Sequence, residues 1–395
     1  MKNRVFGAVA LCSLLACSGD PPVGGASSSS GSPGFDSGQT GNDGGVIEAG
    51  PDGSLACTSP QVACGNACVE VATSGDNCGR CGHTCGGAKC SDGICQPQVV
   101  RAGLPSNINV VVGKGGVFFT NGKSVETCPL TGCVVAPVKV ATFVNYEPGP
   151  AIAVGDDAVF FRGAPDQNTI RPNAYHCPVS GTCTLKSIDA DGFGDIGSIA
   201  AFKAEAYTWT SRMLSHHSGC DKSGCANKET IVTTGSPGNE RLFADATGAY
   251  YIDSTGALRG CPASGPCTPS TIATGMGTAL GMQSAGGKLY VAIPGDGANR
   301  GFIRVCNNTT CEAANFSSRP LGNVSSFAVD ARGVYWFTDA QDLRACPIAG
   351  CGAAIGTVLS TPAPASSTLV GVLDGFLYYV TRDAGGATIS RVATP

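Results

Sequence analysis

One acidic segment has the residue types and spacing that could hold a metal ion. Asp189, Asp191 and Asp195 are interleaved with small residues around Gly192 and Gly194. Carboxylates that alternate around glycine suit a hard, oxygen-loving cation such as calcium. A solvated surface loop produces the same pattern, so both readings stand. Apart from this calcium reading, the sequence predicts no cofactor.

Catalytic motifs give no further candidate. The chain contains no Gly-x-Ser-x-Gly, no His-Glu-x-x-His and no phosphate-cradling loop. His216 and His217 are adjacent, and neighbouring residues of a strand point to opposite faces, which disfavours a shared metal. The sequence predicts no catalytic residue and favours a protein that is not an enzyme.

Cysteine is the most regular chemical feature of the chain. Six pairs, each separated by four or five residues, recur at intervals of about 40 to 50 residues, a period typical of propeller blades. The pairs are Cys128/Cys133, Cys177/Cys183, Cys220/Cys225, Cys261/Cys267, Cys306/Cys311 and Cys346/Cys351. Proline and glycine between many of the partners indicate a hairpin turn. We therefore predict a structural disulfide within each repeat, and six copies disfavour a redox-active dithiol.

A short apolar, aromatic run precedes each pair and occurs a seventh time at Leu377 to Val380. Runs such as Val334-Tyr335-Trp336-Phe337 favour strands, and they are too short for helices. Asp245 and Asp330 stand at the first position of four-residue turns that end in glycine, so they are predicted turn formers. The sequence therefore predicts an all-β fold, a seven-bladed β-propeller, with six blades as the alternative.

The last repeat ends before its fourth strand. The segment from Gln98 to Ala102 is similar to the fourth strand Val138 to Ala141 of the first repeat. We expect this N-terminal strand to complete the C-terminal blade, which would remove an exposed sheet edge.

The chain before the propeller is predicted to have three parts. Residues 1–16 form a signal, with Lys2 and Arg4 before an apolar stretch too short for a permanent membrane span. Residues 17–56, rich in Gly, Ser, Pro and Asp, are predicted to be a disordered linker. Residues 57–96 form a small disulfide-rich module, and residues 97–395 form the propeller.

The module has eight cysteines, and so small a unit needs cross-links to fold. Cys78, Cys81, His83 and Cys85 also have zinc-like spacing, but an export signal and an even cysteine count favour disulfides. Eight cysteines permit 105 pairings, so the sequence leaves the connectivity open.

Three resemblances accompany these patterns. Leu14-Leu15-Ala16-Cys17 resembles the bacterial lipoprotein signal, which implies lipidation of Cys17, and Ser18 in the next position implies the outer membrane of a Gram-negative bacterium. The module resembles the cysteine-rich repeat of plant stigma-specific proteins, common in secreted proteins of myxobacteria. Val334 to Asp339 resembles the Tyr-Trp-Thr-Asp propeller repeat, which is usually six-bladed.

The predicted function is binding at the cell envelope, with a protein or glycan as the partner. The turns joining strands one and two, and three and four, of every blade share one end of the ring, which we call the disulfide face. The opposite end, the loop face, carries variable connections, where recognition usually resides. The predicted binding residues there are Arg162, Asp166, Arg171, Asp296, Arg300 and Arg382.

The sequence also bears on two other classes of function. The alternative is a propeller hydrolase or lactonase with a metal in the central channel. With a net charge of −4 and no basic stripe, nucleic acid is not an expected partner.

Overall fold

The computed structural model describes residues 56–133, 135–143, 151–163, 173–180, 183, 185–188, 196–210, 213–221, 224–232, 237–263, 267–277, 279–294, 301–312, 316, 323–351, 356–359, 363 and 366–395. All regular structure in these residues is β-strand. The described part of the chain therefore contains no helix of the length and apolar character that a membrane crossing requires.

Seven antiparallel sheets form the blades of a propeller, each running from an inner to an outer strand. Blade 1 contains β6 (Val110–Gly113), β7 (Gly116–Asn121), β8 (Ser124–Cys128) and β9 (Val138–Thr142). Blade 2 contains β10 (Ile152–Val154), β11 (Ala158–Gly163), β12 (Asn173–Pro178) and β13 (Lys186–Ser187). Blade 3 contains β14 (Ile196–Phe202), β15 (Glu205–Thr210), β16 (Leu214–Ser218) and β17 (Asn227–Val232).

The remaining blades repeat this order. Blade 4 contains β18 (Pro237–Asp245), β19 (Gly248–Asp253), β20 (Leu258–Pro262) and β21 (Ser270–Ala273). In blade 5 the described residues form β22 (Gly281–Ala285), β23 (Lys288–Ile293) and β24 (Phe302–Cys306). Blade 6 contains β25 (Val324–Val329), β26 (Gly333–Thr338), β27 (Leu343–Pro347) and β28 (Gly356–Thr357).

Blade 7 combines both ends of the propeller sequence. Its inner strands are β29 (Ser367–Leu373), β30 (Phe376–Asp383) and β31 (Gly386–Ala393), and its outer strand is β5 (Gln98–Leu104). The inner strand β29 also contacts β6 of blade 1, which closes the ring. The predictions of seven blades and of an N-terminal closing strand are confirmed.

The aromatic runs form the second strand of every blade. These strands are buried on both sides because each blade packs against two neighbours; all six residues of β26 are buried. Trp336, Tyr207, Tyr378 and Phe118 are among the largest fully buried side chains. Edge-on ring contacts cross the blade interfaces, as between Phe337 and Tyr379 at 5.6 Å. The aromatic repeat therefore supplies the core between the blades.

In blades 4 and 6 the turn between the first and second strands is built by aspartate, as predicted for Asp245 and Asp330. The Asp245 carboxylate accepts a hydrogen bond from the Thr247 backbone N–H at 2.8 Å. The Asp330 carboxylate accepts bonds from the backbone N–H groups of Arg332 and Gly333, both at 2.8 Å. Each carboxylate thus replaces a backbone acceptor in a tight turn.

The cysteine module forms four disulfides and two short hairpins. Its strands are β1 (Val62–Cys64) with β2 (Ala67–Val69), and β3 (Cys90–Ser91) with β4 (Ile94–Cys95). The disulfides join Cys57 to Cys68, Cys64 to Cys81, Cys78 to Cys90, and Cys85 to Cys95. The described residues of the module and of the propeller belong to one compact unit. The buried module cysteines share an apolar cluster with side chains of blades 6 and 7, such as Tyr335 and Leu377.

Candidate functional site

The central channel is lined by the first strands of all seven blades and encloses a cavity of about 470 Å³. Its lining is aliphatic or small at most positions, including Ile152, Ile199 and Val370. Gln283 and Ser284 are the polar side chains among the described lining residues, none of which is Asp, Glu, His or Cys. These residues offer no charged or imidazole ligand for a channel metal.

Gln283 is committed to joining two blades. Its side-chain amide donates to the Phe327 carbonyl at 3.1 Å and accepts from the Val329 N–H at 2.8 Å. The amide therefore pairs with the inner strand of blade 6 as another strand would. The Ser326 hydroxyl likewise connects blades 6 and 7, because it accepts a hydrogen bond from the Leu369 backbone N–H at 2.9 Å.

The disulfide face carries all six repeat disulfides. The structure joins Cys128–Cys133, Cys177–Cys183, Cys220–Cys225, Cys261–Cys267, Cys306–Cys311 and Cys346–Cys351. In each pair the first cysteine lies within two residues of the end of the third strand, as Cys346 does opposite Val334. Blade 7 has Val392 instead of a cysteine in this position, opposite Leu377. The module disulfide Cys85–Cys95 lies just before β5, the outer strand of blade 7. Each short cross-link fixes the turn from the third strand to the fourth.

The module cysteines and adjacent histidines do not form metal sites. The sulfurs of Cys78, Cys85 and Cys95 lie within 4.8 Å of one another, but all three are consumed by disulfides. His216 stacks on Tyr207 at 4.6 Å, whereas buried His217 contacts the Thr208 hydroxyl at 2.9 Å. The two histidines therefore face opposite sides of their strand, as expected.

A hydrogen-bonded pair of side chains and an aromatic stack occupy the disulfide face of blade 3. His216 pairs with Glu205, and its ring covers Tyr207. Burial, together with the negative charges of Glu205 and Asp245, raises the pKa of Tyr207 to about 12. The Tyr207 hydroxyl therefore stays protonated at neutral pH and is not available as a base.

Two of the predicted binding residues lie within the described residues, Arg162 at the end of β11 and Arg382 near the end of β30. Both are half-buried on the loop side of their blades. The other four, Asp166, Arg171, Asp296 and Arg300, lie outside the described residues. The same is true of the proposed calcium ligands Asp189, Asp191 and Asp195, and of the lipidation residue Cys17.

Arg382 is a structural clamp. Its guanidinium donates to the backbone carbonyls of Ser106 and Ile108, both at 3.0 Å, and to the Thr368 hydroxyl at 3.4 Å. Burial lowers the pKa of Arg382. The segment that it holds leads from the closing strand into blade 1. Arg382 is therefore engaged in the fold, and its substitution should affect stability, contrary to the sequence-based expectation.

A second feature of the loop face escaped sequence reasoning. In blade 4, Arg259 donates to the Asp253 carboxylate at 2.8 Å and to the Thr271 hydroxyl at 2.7 Å. In blade 6, Arg344 donates to Asp342 at 2.7 Å and to the Thr357 hydroxyl at 3.3 Å. The two arginines hold equivalent register positions, opposite Tyr251 and Trp336. Tyr251 and Trp336 each follow the tyrosine of the second strand, at Tyr250 and Tyr335. An alignment of blades 4 and 6 on these tyrosines would have placed Arg259 and Arg344 at the same position.

The blade 4 loop is held at its tip by one carboxylate. Asp253 accepts bonds from the Thr255 and Ala257 backbone N–H groups at 2.9 Å and 3.0 Å. Burial alone would raise the pKa of Asp253, but the hydrogen bonds from Thr255, Arg259 and Ala257 outweigh it and lower the pKa to about 2. Asp253 is therefore ionised at neutral pH and keeps the loop in one conformation.

Fold and disulfides together define a seven-bladed β-propeller with a docked cysteine-rich module. No family model and no curated protein matches the chain. Among solved structures it is similar to Ycf48 bound to D1 peptide, with 10% identity, a TM-score of 0.52, and coverage of 76% of this chain and 95% of that one. Ycf48 from Cyanidioschyzon merolae gives 14% identity, a TM-score of 0.52, and coverage of 76% and 99%.

A third similar structure is the computationally designed Ika8 protein, with 9% identity, a TM-score of 0.50, and coverage of 78% of this chain and 89% of that one. Identities this low establish a shared fold and leave the function of the chain to be argued from its own surfaces.

Proposed function

We propose that this protein is an envelope lipoprotein that binds a protein partner through the loop face of its propeller. The fold is consistent with an interaction module. The observation that carries the proposal is the structural difference between the disulfide face and the loop face of the ring. On the disulfide face a disulfide fixes the turn after the third strand in blades 1 to 6, aspartate builds the turn between the first two strands of blades 4 and 6, and the cysteine module lies at blade 7. The loop face instead presents charged side chains on its turns.

The loop face offers hydrogen-bonding and charged groups in several blades. Lys123, Asp339 and Asp383 are exposed there, and Asp342 with Arg344 remain about a third exposed. Groups held on rigid turns lose little conformational entropy on binding, which favours recognition of a complementary polar surface. A glycan partner is the other outcome that the binding experiment must distinguish.

One similar structure supports the choice of a protein partner by analogy. It is Ycf48 in complex with D1 peptide. At 10% identity the analogy concerns only the use that a propeller of this shape can serve.

The tether rests on the N-terminal sequence. The run Leu14 to Cys17 and the following Ser18 support a lipidated anchor and outer-membrane sorting, and the composition of residues 17–56 supports a linker. The similarity of the module to stigma-specific repeats supports export. A Cys17→Ala variant should leave the detergent phase on phase separation, and full retention there would contradict the anchor.

The binding test uses two matched double variants and immobilised full-length protein. Lys123→Glu with Asp339→Lys reverses two exposed charges on the loop face, and Lys114→Glu with Asp156→Lys does the same on the disulfide face. Envelope extracts are applied with and without prior protease treatment. We expect a protease-sensitive partner that the loop-face variant loses and the disulfide-face variant retains. Equal loss in both variants would contradict the loop-face assignment, and a protease-resistant partner would indicate a glycan.

The hydrolase alternative requires metal ligands in the channel, where the described lining is apolar apart from Gln283 and Ser284. Metal analysis of the purified protein tests it directly. A stoichiometric transition metal that survives dialysis would favour the enzyme, whereas calcium alone would direct attention to Asp189, Asp191 and Asp195.

A further inference from the structure

The central channel has the size and the apolar walls of a small-molecule site. Its volume of about 470 Å³ lies within the range of roughly 300–1,000 Å³ that such sites have. In several blades three consecutive residues of the first strand line it, such as Ile152 to Val154 and Val370 to Val372. At about 3.3 Å per residue, this lining is about 10 Å deep. The channel therefore suits an apolar body of comparable length.

Two neighbouring blades place hydrogen-bond donors at the loop-face mouth of the channel. Ser198 directly precedes the lining residue Ile199, and Arg241 directly precedes the lining residue Leu242. Each first strand runs from the loop face to the disulfide face, so Ser198 and Arg241 lie at the loop-face end. The strands that carry them, β14 and β18, contact each other. The Ser198 hydroxyl and the Arg241 Nε are buried, and neither has a hydrogen-bond partner in the described structure.

A third donor without a partner belongs to Trp209. Trp209 is the cross-strand partner of Ser198, so the two side chains project from the same face of blade 3. The indole ring contacts Tyr251 of blade 4, with 4.8 Å between the ring centroids. Trp209 is 5% exposed, and its Nε1 also lacks a partner among the described residues. Indole and guanidinium nitrogens can only donate, so what this mouth lacks is an acceptor.

Arg241 also brings a positive charge to the loop-face mouth. No ion pair joins Arg241 to a carboxylate in the described part of the chain. Burial lowers the pKa of Arg241, but a guanidinium remains charged at neutral pH. The disulfide-face end of the channel differs, since exposed charges of both signs follow the lining there: Lys114, Lys203, Asp156 and Asp374. An anionic group is therefore favoured at the loop-face end.

We propose that the channel binds a monocarboxylate with an alkyl chain, of the fatty-acid type. Its carboxylate lies between Ser198, Trp209 and Arg241, and its chain extends into the channel toward the disulfide face. A carboxylate has two oxygens and about four acceptor positions, which is enough for all three donors. The inference does not depend on the protein partner proposed for the loop face, and either can fail without the other.

The volume of the channel sets the length of the chain. At about 30 Å³ for each molecule of liquid water, the channel has room for about 15 waters. A methylene group is similar in size to a water molecule, so a chain of about ten carbons fits with its carboxylate at the mouth. Decanoate is therefore the probe, and decan-1-ol is its uncharged counterpart.

The first experiment measures affinity by titration calorimetry. The oxidised full-length protein carries Cys17→Ala, so that no detergent competes for the channel. We expect decanoate to bind at least about tenfold more tightly than decan-1-ol, because charged hydrogen bonds are the stronger ones. Octanoate should bind about tenfold more weakly than decanoate, because it buries two fewer methylene groups. Equal affinities for decanoate and decan-1-ol would overturn the carboxylate end, and equal affinities for decanoate and octanoate would overturn the channel.

The second experiment locates the carboxylate. The chain contains two tryptophans, Trp209 and Trp336, and a Trp336→Phe variant assigns their indole signals. In nitrogen-15 NMR, decanoate should move the indole N–H signal of Trp209 to lower field, because that group gains an acceptor. The Trp336 signal, from a fully buried ring in blade 6, should stay in place. A Trp209 signal that does not move at saturating decanoate would refute this placement.

Three variants separate the two parts of the site. Arg241→Met keeps the apolar stem and removes the charge, so decanoate affinity should fall about tenfold while decan-1-ol affinity is unchanged. Gly371→Leu narrows the channel and should abolish binding of both ligands. A Cβ at Gly371 meets no atom within 4 Å, so the fold accommodates this change. Arg304→Met removes the same charge from the third strand of blade 5 and should leave both affinities unchanged.

Thermal melting of each variant verifies that it is folded before binding is compared. Undiminished decanoate binding by Gly371→Leu would place the ligand outside the channel and overturn the proposal. Undiminished decanoate binding by Arg241→Met, or an equal loss in Arg304→Met, would refute the role of Arg241. The indole signal of Trp209 gives an independent answer on the placement of the carboxylate if Arg241→Met does not fold.

Discussion

The seam that closes the ring depends on one buried arginine. Arg391 is 6% exposed, and it donates to the Gln98 side chain at 2.7 Å and to the Leu130 carbonyl at 3.1 Å. It also stacks on Phe376. These contacts join the third strand of blade 7, the closing strand β5 and the disulfide turn of blade 1. Within the described residues no carboxylate pairs with Arg391, so its charge is balanced by dipoles and a ring face.

Replacing Arg391 with methionine keeps the aliphatic stem and removes both donors. Each hydrogen bond from a charged group contributes about 1.5–3 kcal/mol, and part of this is recovered because methionine is cheaper to bury. We expect the Arg391→Met variant to unfold with a free energy lower by about 2–4 kcal/mol. At roughly 2 °C per kcal/mol for a chain of this size, the melting temperature falls by about 4–8 °C.

The assay is urea unfolding of the oxidised protein, with Arg344→Met as the matched control. Arg344 also donates to a side-chain oxygen at 2.7 Å, but its side chain is 33% exposed, so its loss should cost under about 1 kcal/mol. A double variant with Gln98→Ala measures the coupling across the seam. Equal effects from Arg391→Met and Arg344→Met would refute the argument that the closing seam is held by buried charge-assisted bonds.

Further predictions concern the ring and the loop face. Deleting residues 98–104 should expose the edge of β31 and lower the melting temperature by more than Arg391→Met does; a smaller effect would contradict closure by β5. Gln283→Ala leaves the inner-strand groups of blade 6 without their side-chain partner, and calorimetry should show a loss of about 1–3 kcal/mol, whereas a neutral result would mean that water replaces the amide. Arg382→Met should lower the melting temperature by several degrees, and an unchanged value would return Arg382 to a purely binding role. Asp253 has a lowered pKa, so its stabilising contribution is present above the unfolded pKa and is lost as the pH falls through about 2. Acid titration of loop-face exchange should therefore show a step that Asp253→Asn abolishes.

Removal of the cysteine module is also expected to lower the stability of the propeller. The sequence treats residues 57–96 as a separate unit, and on that basis removing residues 18–96 should leave the stability of the propeller nearly unchanged. The structure buries Cys78, Cys85 and Cys95 in one cluster with residues of blades 6 and 7. Sequence patterns identify which residues are cross-linked or apolar, but they do not say which surface a small module covers.

The sequence by itself determined the features that repeat. A strand with an aromatic centre recurs in all seven blades, a cysteine pair recurs in six, and an aspartate turn recurs in several. These local patterns predicted seven blades, their closure and the position of the disulfide face. Such features follow from local rules, since alternation, turn chemistry and pair spacing act within about ten residues.

Tertiary structure alone decided the contacts between residues far apart in the chain. His83 meets Thr394, Arg382 meets Ser106, and Gln283 pairs with the backbone of the next blade. In the sequence these are ordinary polar residues, and Arg382 looked like a free charge on a variable loop. Their roles depend on which backbone acceptors the closed ring places nearby, and this is set by packing of the whole domain rather than by any local pattern.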